Sequence, residues 1–205
     1  MDDLGVVDIV GTAKMLELIY GSSEVLVVFI YMMGLFSFYL TFRQFSQLGQ
    51  INQGSSSVWP VSSIAWTFIG GIMFIYLGSF VDVLHQTVFV SSWESIEGGS
   101  PLSWRINDGA GVDGLDTATV AIKTVVSFFQ FLGLIGIYLG VRNLQKIGRT
   151  DLGQDSHNAV PKAFWHLVGG LLLLNPIGTL SGVGYFIPIL GDLAANMSSS
   201  ISGGG

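Results

Sequence analysis

The chain has 205 residues, of which only 11% are charged, and its net charge is −6. Soluble domains carry about 25% charged residues, so a mean hydropathy of +0.62 argues against an ordinary soluble surface. The absence of cysteine excludes disulfides, thiolate metal sites and a cysteine nucleophile. Without a basic arm or a Lys/Arg cluster, direct sequence-specific binding of nucleic acid is not expected.

The first predicted element is a short amphipathic helix in an N-terminal interfacial segment, residues 1–22, where Asp8, Lys14 and Glu17 interrupt apolar residues. Two apolar runs follow at residues 25–42 and 61–84. Each is near the roughly 20 residues that cross a bilayer core. They predict a first helical hairpin over residues 23–84, followed by an extracytoplasmic loop over residues 85–116.

A second hairpin is predicted over residues 117–190 from apolar runs at 118–141 and 163–190, the latter interrupted by Asn175 and Pro176. Residues 191–205 are expected to form a flexible Gly/Ser tail. The sequence therefore predicts an all-α membrane protein with four transmembrane helices. These form two tandem, similarly oriented helical hairpins, and the short amphipathic helix precedes them.

The basic residues predict the orientation of the chain. The loops that join the two helices of each predicted hairpin hold Arg43, Arg142, Lys146, Arg149 and Lys162, whereas most acidic residues lie on the other flanks. Because cytoplasmic loops carry an excess of Lys and Arg, both of these loops should face the cytoplasm. Both termini and the loop at residues 85–116 should then face outward, which in a Gram-negative cell is the periplasm.

The chain contains an internal repeat. Gly34-Leu35, Tyr39-Leu40 and Arg43 recur as Gly133-Leu134, Tyr138-Leu139 and Arg142, with an offset of 142 − 43 = 99. The same offset relates Trp66 to Trp165 and Gly70-Gly71 to Gly169-Gly170. Two hairpins of equal orientation should be related by an axis near the membrane normal, which suits a structural subunit and also parallel-repeat transporters.

Glycines in the apolar runs are the candidate helix-packing residues, because glycine lets helix backbones approach closely in membranes. They could form seams for neighbouring subunits or pack within one chain, and the sequence leaves both open. The many small residues favour a homo-oligomer. The candidates are Gly133, Gly136, Gly140, Gly169, Gly170, Gly178 and Gly182.

A few polar residues lie inside the predicted spans. Asp82 and Lys123 could form an intramembrane polar pair, either as an interfacial ion pair or as part of an ion path. Asn175 and Pro176 should kink the fourth span and free carbonyl groups that need partners inside the protein. His166 has no second ligand at metal spacing. No enzyme, catalytic residue, metal or cofactor is expected, and structural lipid is compatible with the apolar surface.

The pattern resembles the small inner-membrane proteins IcmC/DotE of the Dot/Icm type IVB secretion system and TraQ of I-type conjugation. The residues that carry the resemblance are 130–142 (QFLGLIGIYLGVR) and 166–180 (HLVGGLLLLNPIGTL). Tyr20-Gly21-Ser22, residues 34–49 and Gln86-Thr87 match more loosely, over residues 11–185 in all. His166, Gly169, Gly170, Asn175, Gly178 and Thr179 match as structural positions.

The resemblance implies a structural subunit of a type IV secretion or conjugation apparatus in the bacterial inner membrane. Such a subunit would oligomerise as part of the transfer channel or a pilus-like filament. Its partners would be lipid, further copies of itself and other secretion subunits. The alternatives are a small parallel-repeat transporter and an assembly factor for another membrane subunit.

Overall fold

The computed structural model describes residues 3–50, 61–88, 117–147 and 158–202. These residues form helices joined by short turns, and no strand occurs among them. The helices are α1 Asp3–Gln50, α2 Val61–Ile75, α3 Leu77–Val88, α4 Thr117–Leu144, α5 Ala159–Leu174, α6 Pro176–Gly184 and α7 Pro188–Ser202.

Two helical segments are long and apolar enough to cross a membrane, Lys14–Gln47 and Thr119–Leu144. A third is obtained when α5 and α6, bent by 94° at Asn175, are taken as one broken span. The helix α2 is apolar but has only 15 residues. The all-α fold is confirmed, together with two or three candidate spans.

The N-terminal segment differs from its prediction as a separate interfacial helix. Residues 3–22 belong to α1, which continues without interruption through residue 50. No proline precedes Pro60, so nothing removes a backbone donor in this stretch. A helix of 48 residues is about 72 Å long at 1.5 Å per residue, more than one bilayer crossing requires.

Other helix boundaries also differ from the sequence prediction. The second predicted span consists of α2 and α3, which are separated at Tyr76. The loop predicted from residue 85 begins later, because α3 runs to Val88, and residues 89–116 lie outside the described residues. The tail predicted from residue 191 is helical through Ser202, since its Leu, Ala and Met residues favour helix and, after Gly191, its next glycine is residue 203.

The chain divides into two compact units. The first unit comprises Met1–Val25, Val81–Leu134 and Leu171–Gly205, and its buried apolar residues include Leu16, Val81, Val120 and Leu174. The second unit comprises Leu26–Phe80 and Ile135–Gly170. Its core contains Ile30, Ile64, Phe74, Ile137 and Val141. Each unit therefore draws on both copies of the repeat.

Candidate functional site

In the second unit, α1 and α2 approach closely at glycines. A Cβ atom added to Gly34 would lie 2.9 Å from Cγ1 of Ile75, and one added to Gly71 would lie 3.2 Å from Cβ of Ser37. One turn further along α1, Phe38 packs edge-to-face on Phe68 with ring centroids 5.3 Å apart. The small residues Gly34, Ser37 and Gly71 thus allow the two helix backbones to pack closely, next to the aromatic contact.

The helices α4 and α5 approach more closely still. A Cβ atom added to Gly136 would lie 2.9 Å from Cα of Gly170 and 3.2 Å from the carbonyl oxygen of His166. An added Cβ at Gly140 would lie 2.7 Å from Cδ2 of Leu167 and 3.1 Å from its backbone nitrogen. Because backbone atoms cannot rotate away as a side chain can, glycine at 136 is required by this contact.

These contacts follow the internal repeat. The pair Ser37–Gly71 corresponds to Gly136–Gly170, since 136 − 37 = 99 and 170 − 71 = 99. The helix break follows it as well: α2 ends at Ile75 and α5 at Leu174, and 174 − 75 = 99. The repeat therefore extends from residue identity to helix contacts and helix ends.

Several polar side chains are buried in the second unit and are here called the polar seam. They are Ser37, Thr41, Gln44, Ser63, Thr67 and Asn143. The hydroxyls of Thr41 and Thr67 donate to carbonyls of their own helices at 2.8 Å, those of Ser37 and Ser63 respectively. Such bonds within a helix leave the hydroxyls satisfied in an apolar surrounding.

Gln145 connects the end of α4 to α1. Its Nε2 atom donates to Oγ of Ser37 at 2.9 Å, and Oγ of Ser37 itself donates to the carbonyl of Met33 at 2.8 Å. The side chain of Gln145 occupies the space that Gly70 leaves open, because a Cβ atom there would lie 2.5 Å from Cγ of Gln145. No sequence pattern predicts this contact between the two repeat copies.

Two oxygens of the polar seam, Oε1 of Gln44 and Oγ of Ser63, have no hydrogen-bond partner among the residues that the structure describes. Both residues are more than nine-tenths buried. A buried polar group without a partner costs roughly 1–3 kcal/mol. The spacing of Ser37, Thr41 and Gln44, four and then three residues apart on one helix face, is the sequence signal for this seam.

Aromatic packing adds a second link between the repeat copies. Tyr138 on α4 is stacked on Phe74 with ring centroids 5.6 Å apart and meets Phe29 edge-on at 5.8 Å. Tyr138 is buried, whereas its repeat equivalent Tyr39 is exposed. The equivalent tyrosines thus occupy different environments.

The predicted kink lies at Asn175, where α5 ends. Oδ1 of Asn175 accepts a 2.9 Å hydrogen bond from the backbone nitrogen of Gly178. Asn175 is therefore the N-cap of α6, whose first residue is Pro176. Oγ1 of Thr179 donates to the carbonyl of Leu172 at 2.8 Å. The side chains of Asn175 and Thr179 therefore form hydrogen bonds with backbone groups on either side of the bend.

The remaining candidate glycines differ in environment. Gly133 is buried on α4. A Cβ atom added to Gly178 would meet the side chain of Asn175, so this glycine serves the cap. Nothing lies within 4 Å of a Cβ atom at Gly169 or Gly182, so neither contacts another helix at this distance.

The charged candidates are only partly described. Lys123 is half-buried on α4, whereas Asp82 lies on α3 with its side chain outside the described residues, so their pairing stays a prediction. Nδ1 of His166 lies 2.6 Å from the carbonyl oxygen of Lys162, one helical turn away. In the part of the chain that the structure describes, no three His, Asp or Glu side chains are placed to hold a metal ion.

No protein-family model, curated protein or solved structure matches this chain.

Proposed function

We propose that this chain is a structural membrane subunit of a type IV secretion or conjugation apparatus. It oligomerises in the bacterial inner membrane to form part of the transfer channel or of a pilus-like filament. Its partners are lipid, further copies of the chain and other secretion subunits.

The observation that carries the structural role is the apolar outer face of α1. Burial of large apolar side chains normally drives folding in water, yet α1 leaves twelve of them outward. They are Met15, Leu18, Val25, Val28, Phe29, Tyr31, Met32, Leu35, Phe36, Tyr39, Phe42 and Phe45. From Val25 to Phe42 no charged residue interrupts this face, and an apolar face of this size requires lipid or another subunit to cover it.

The glycine contacts support two tandem hairpins within that subunit. Along α1, residues 34 and 37 meet positions 75 and 71 of α2 in descending order, as antiparallel neighbours do. Along α4, residues 136 and 140 meet positions 170 and 167 of α5 in the same way. We therefore propose four spans, with α2–α3 as the second helix of the first hairpin and α5 as that of the second, which α6 extends beyond the bend.

The secretion role rests on the sequence resemblance to the IcmC/DotE/TraQ proteins. Within the matching residues, Gly136, Gly140 and Gly170 make close helix contacts and Asn175 caps a bend. These residues pack helices together, which agrees with the structural role that the resemblance implies for the matching positions. Arg43 and Arg142 are exposed. The excess of basic residues in the loops that hold them supports a cytoplasmic position for these loops, and we propose that both termini lie in the periplasm.

The first experiment is native mass spectrometry in mild detergent with bound lipid retained, combined with disulfide crosslinking in cells. Because the chain lacks cysteine, Phe36→Cys on the exposed face and Ile30→Cys in the core form a matched pair on one helix. We expect a series of multiple copies and crosslinks at position 36 only. A monomer in several detergents without crosslinks at position 36 would refute the structural role.

A transfer assay tests the secretion assignment separately. Deletion of the gene in its host should abolish transfer of the plasmid or effector, and the wild-type gene should restore it. Normal transfer after deletion would refute the secretion role even where the protein oligomerises.

A parallel-repeat transporter is the second candidate, and the interrupted helix at Asn175 favours it. The unpartnered oxygens of Gln44 and Ser63 provide a polar position within the second unit. A transporter should produce solute or ion flux in reconstituted vesicles, and the substitution Gln44→Leu should abolish that flux. Absence of flux, or flux unchanged by Gln44→Leu, would exclude this candidate.

A further inference from the structure

The helices α6 and α7 form a compact pair in the first unit. They pack against each other, and the contact is closest at Gly184 and Gly191, where an added Cβ on Gly184 would collide with Cα of Gly191. The turn between them is hydrogen-bonded. The backbone nitrogens of Phe186 and Ile187 both donate to the carbonyl of Val183, at 2.9 and 3.0 Å. This turn therefore holds its side chains in defined positions.

The side chains at this turn are large, apolar and outward. Tyr185 is 88% exposed, Phe186 82% and Ile189 78%, the three highest values among the large hydrophobic residues that the structure describes. The rings of Tyr185 and Phe186 contact each other edge-to-face at 5.5 Å. We call Tyr185, Phe186 and Ile189 the hairpin tip.

The sequence around the hairpin tip carries few charges. From Leu167 through Gly191 it has no Asp, Glu, Lys, Arg or His. Asp192 is the next charged residue, and it is exposed on α7, three residues after Ile189. The part of α7 beyond it carries Asn196 and Ser198–Ser200 together with Leu193, Met197 and Ile201. The pair is thus apolar at the hairpin tip and more polar from Asp192 onward.

The geometry of the bend is compatible with a position at the membrane boundary. The 16 residues of α5 extend about 24 Å, about 6 Å less than the roughly 30 Å thickness of a bilayer core. At its end α6 is bent by 94° from α5. If α5 crosses the core, α6 therefore begins near its border and runs along the membrane instead of out of it.

We infer that the α6–α7 pair is a lipid-binding element, with the hairpin tip inserted among acyl chains just below the headgroups. Tyrosine favours this layer because its ring is apolar and its hydroxyl reaches polar groups. Interfacial helices bury an apolar face at this depth while a polar face remains in water. The inference rests on the membrane location in the proposed function and is independent of the secretion role.

The test uses single cysteines in the full chain, labelled with an environment-sensitive fluorophore in vesicles of phosphatidylethanolamine and phosphatidylglycerol. Phe186→Cys reports on the hairpin tip, and Ser199→Cys on the exposed polar end of α7. Phe128→Cys, exposed on the candidate span of α4, reports on the bilayer core. Quenchers are aqueous iodide and lipids with a nitroxide either near the headgroup or deep in the acyl chain.

We expect the label at position 186 to emit at shorter wavelength than the label at 199 and to be quenched several-fold more by the shallow nitroxide than by iodide. The label at 199 should show the opposite preference. In a chain carrying Ile189→Cys, the substitution Phe186→Asp should reduce shallow-nitroxide quenching several-fold, whereas Ser199→Asp should not change it.

Two results would overturn the inference. Iodide quenching at position 186 equal to that at 199 would place the hairpin tip in water. Protection from every quencher, together with disulfide crosslinks between copies at 186, would show that a second copy covers it. If the label at Phe128 also fails to respond to either nitroxide lipid, the membrane location and the proposed function are wrong as well.

Discussion

At the residue scale, each close contact depends on which atoms face each glycine. At Gly70 an added Cβ would meet the side chain of Gln145, which could rotate away. At Gly136 it would meet backbone atoms of Gly170 and His166, which cannot. Overpacking of a rigid contact costs about 1–3 kcal/mol, because whole helices must separate.

We therefore predict that Gly136→Ala lowers the free energy of unfolding by about 1–3 kcal/mol, measured as reversible denaturation in detergent. Gly169→Ala is the matched control, since its added Cβ meets nothing within 4 Å. In a helix, alanine is favoured over glycine by about 1 kcal/mol in water, so this control should be neutral or stabilising. Equal destabilisation by both would show that the Gly136–Gly170 approach is not the cause.

At the element scale, the bend between α5 and α6 has an identifiable origin. Pro176 lacks the backbone donor that would continue α5, and the side chain of Asn175 accepts from Gly178 to start α6. Thr179 then donates to the carbonyl of Leu172. At the equivalent break in the first copy there is no proline, and the backbone nitrogen of Tyr76 donates to the carbonyl of Ile72 at 2.9 Å.

Removal of both features should straighten the helix. In the double variant Asn175→Leu/Pro176→Ala, spin labels at Leu172→Cys and Val183→Cys should move apart. A straight helix separates positions 11 residues apart by about 17 Å along its axis. The distance between the two labels is measured by electron paramagnetic resonance. The reference is the protein that carries the same two labels and retains Asn175 and Pro176. A distance unchanged by the double substitution would mean that contacts between α6 and α7, not the cap, maintain the bend.

At the scale of the whole molecule, each compact unit is assembled from both halves of the chain. The second unit combines Leu26–Phe80 with Ile135–Gly170. Contacts of Gln145 with Ser37 and of Tyr138 with Phe74 join the halves within it. The two halves of the chain therefore do not fold as separate domains.

This organisation predicts the outcome of splitting the chain. Fragments 1–100 and 101–205, co-expressed in one membrane, should co-purify through the contacts within each unit, and either fragment alone should be degraded. A break after residue 133, inside α4, is the control and should not reconstitute, because it interrupts a helix. Two fragments that purify separately in stable form would contradict the shared units.

The apolar runs predicted helices well because helix length and hydropathy are local properties of the sequence. The candidate spans over Lys14–Gln47 and Thr119–Leu144 are examples. The glycines of the apolar runs included Gly136 and Gly170 as candidate packing residues, although the sequence did not indicate that they face each other. Gln145 lay outside every predicted span, so only tertiary structure could place it beside Ser37 and Gly70. The continuity of α1 was missed because polar residues near its start resembled a boundary.

The two helix interruptions occupy the same position of the repeat but differ in their backbone bonds. The turn at Tyr76 and the cap at Asn175 are 99 residues apart. At the first, the backbone bonds from Tyr76 to Ile72 and from Phe80 to Tyr76 keep the helical spacing across the interruption. At the second, Pro176 has no backbone donor, and the helix axis turns by 94°. The same position of the repeat is therefore an almost continuous helix in one copy and a sharp corner in the other.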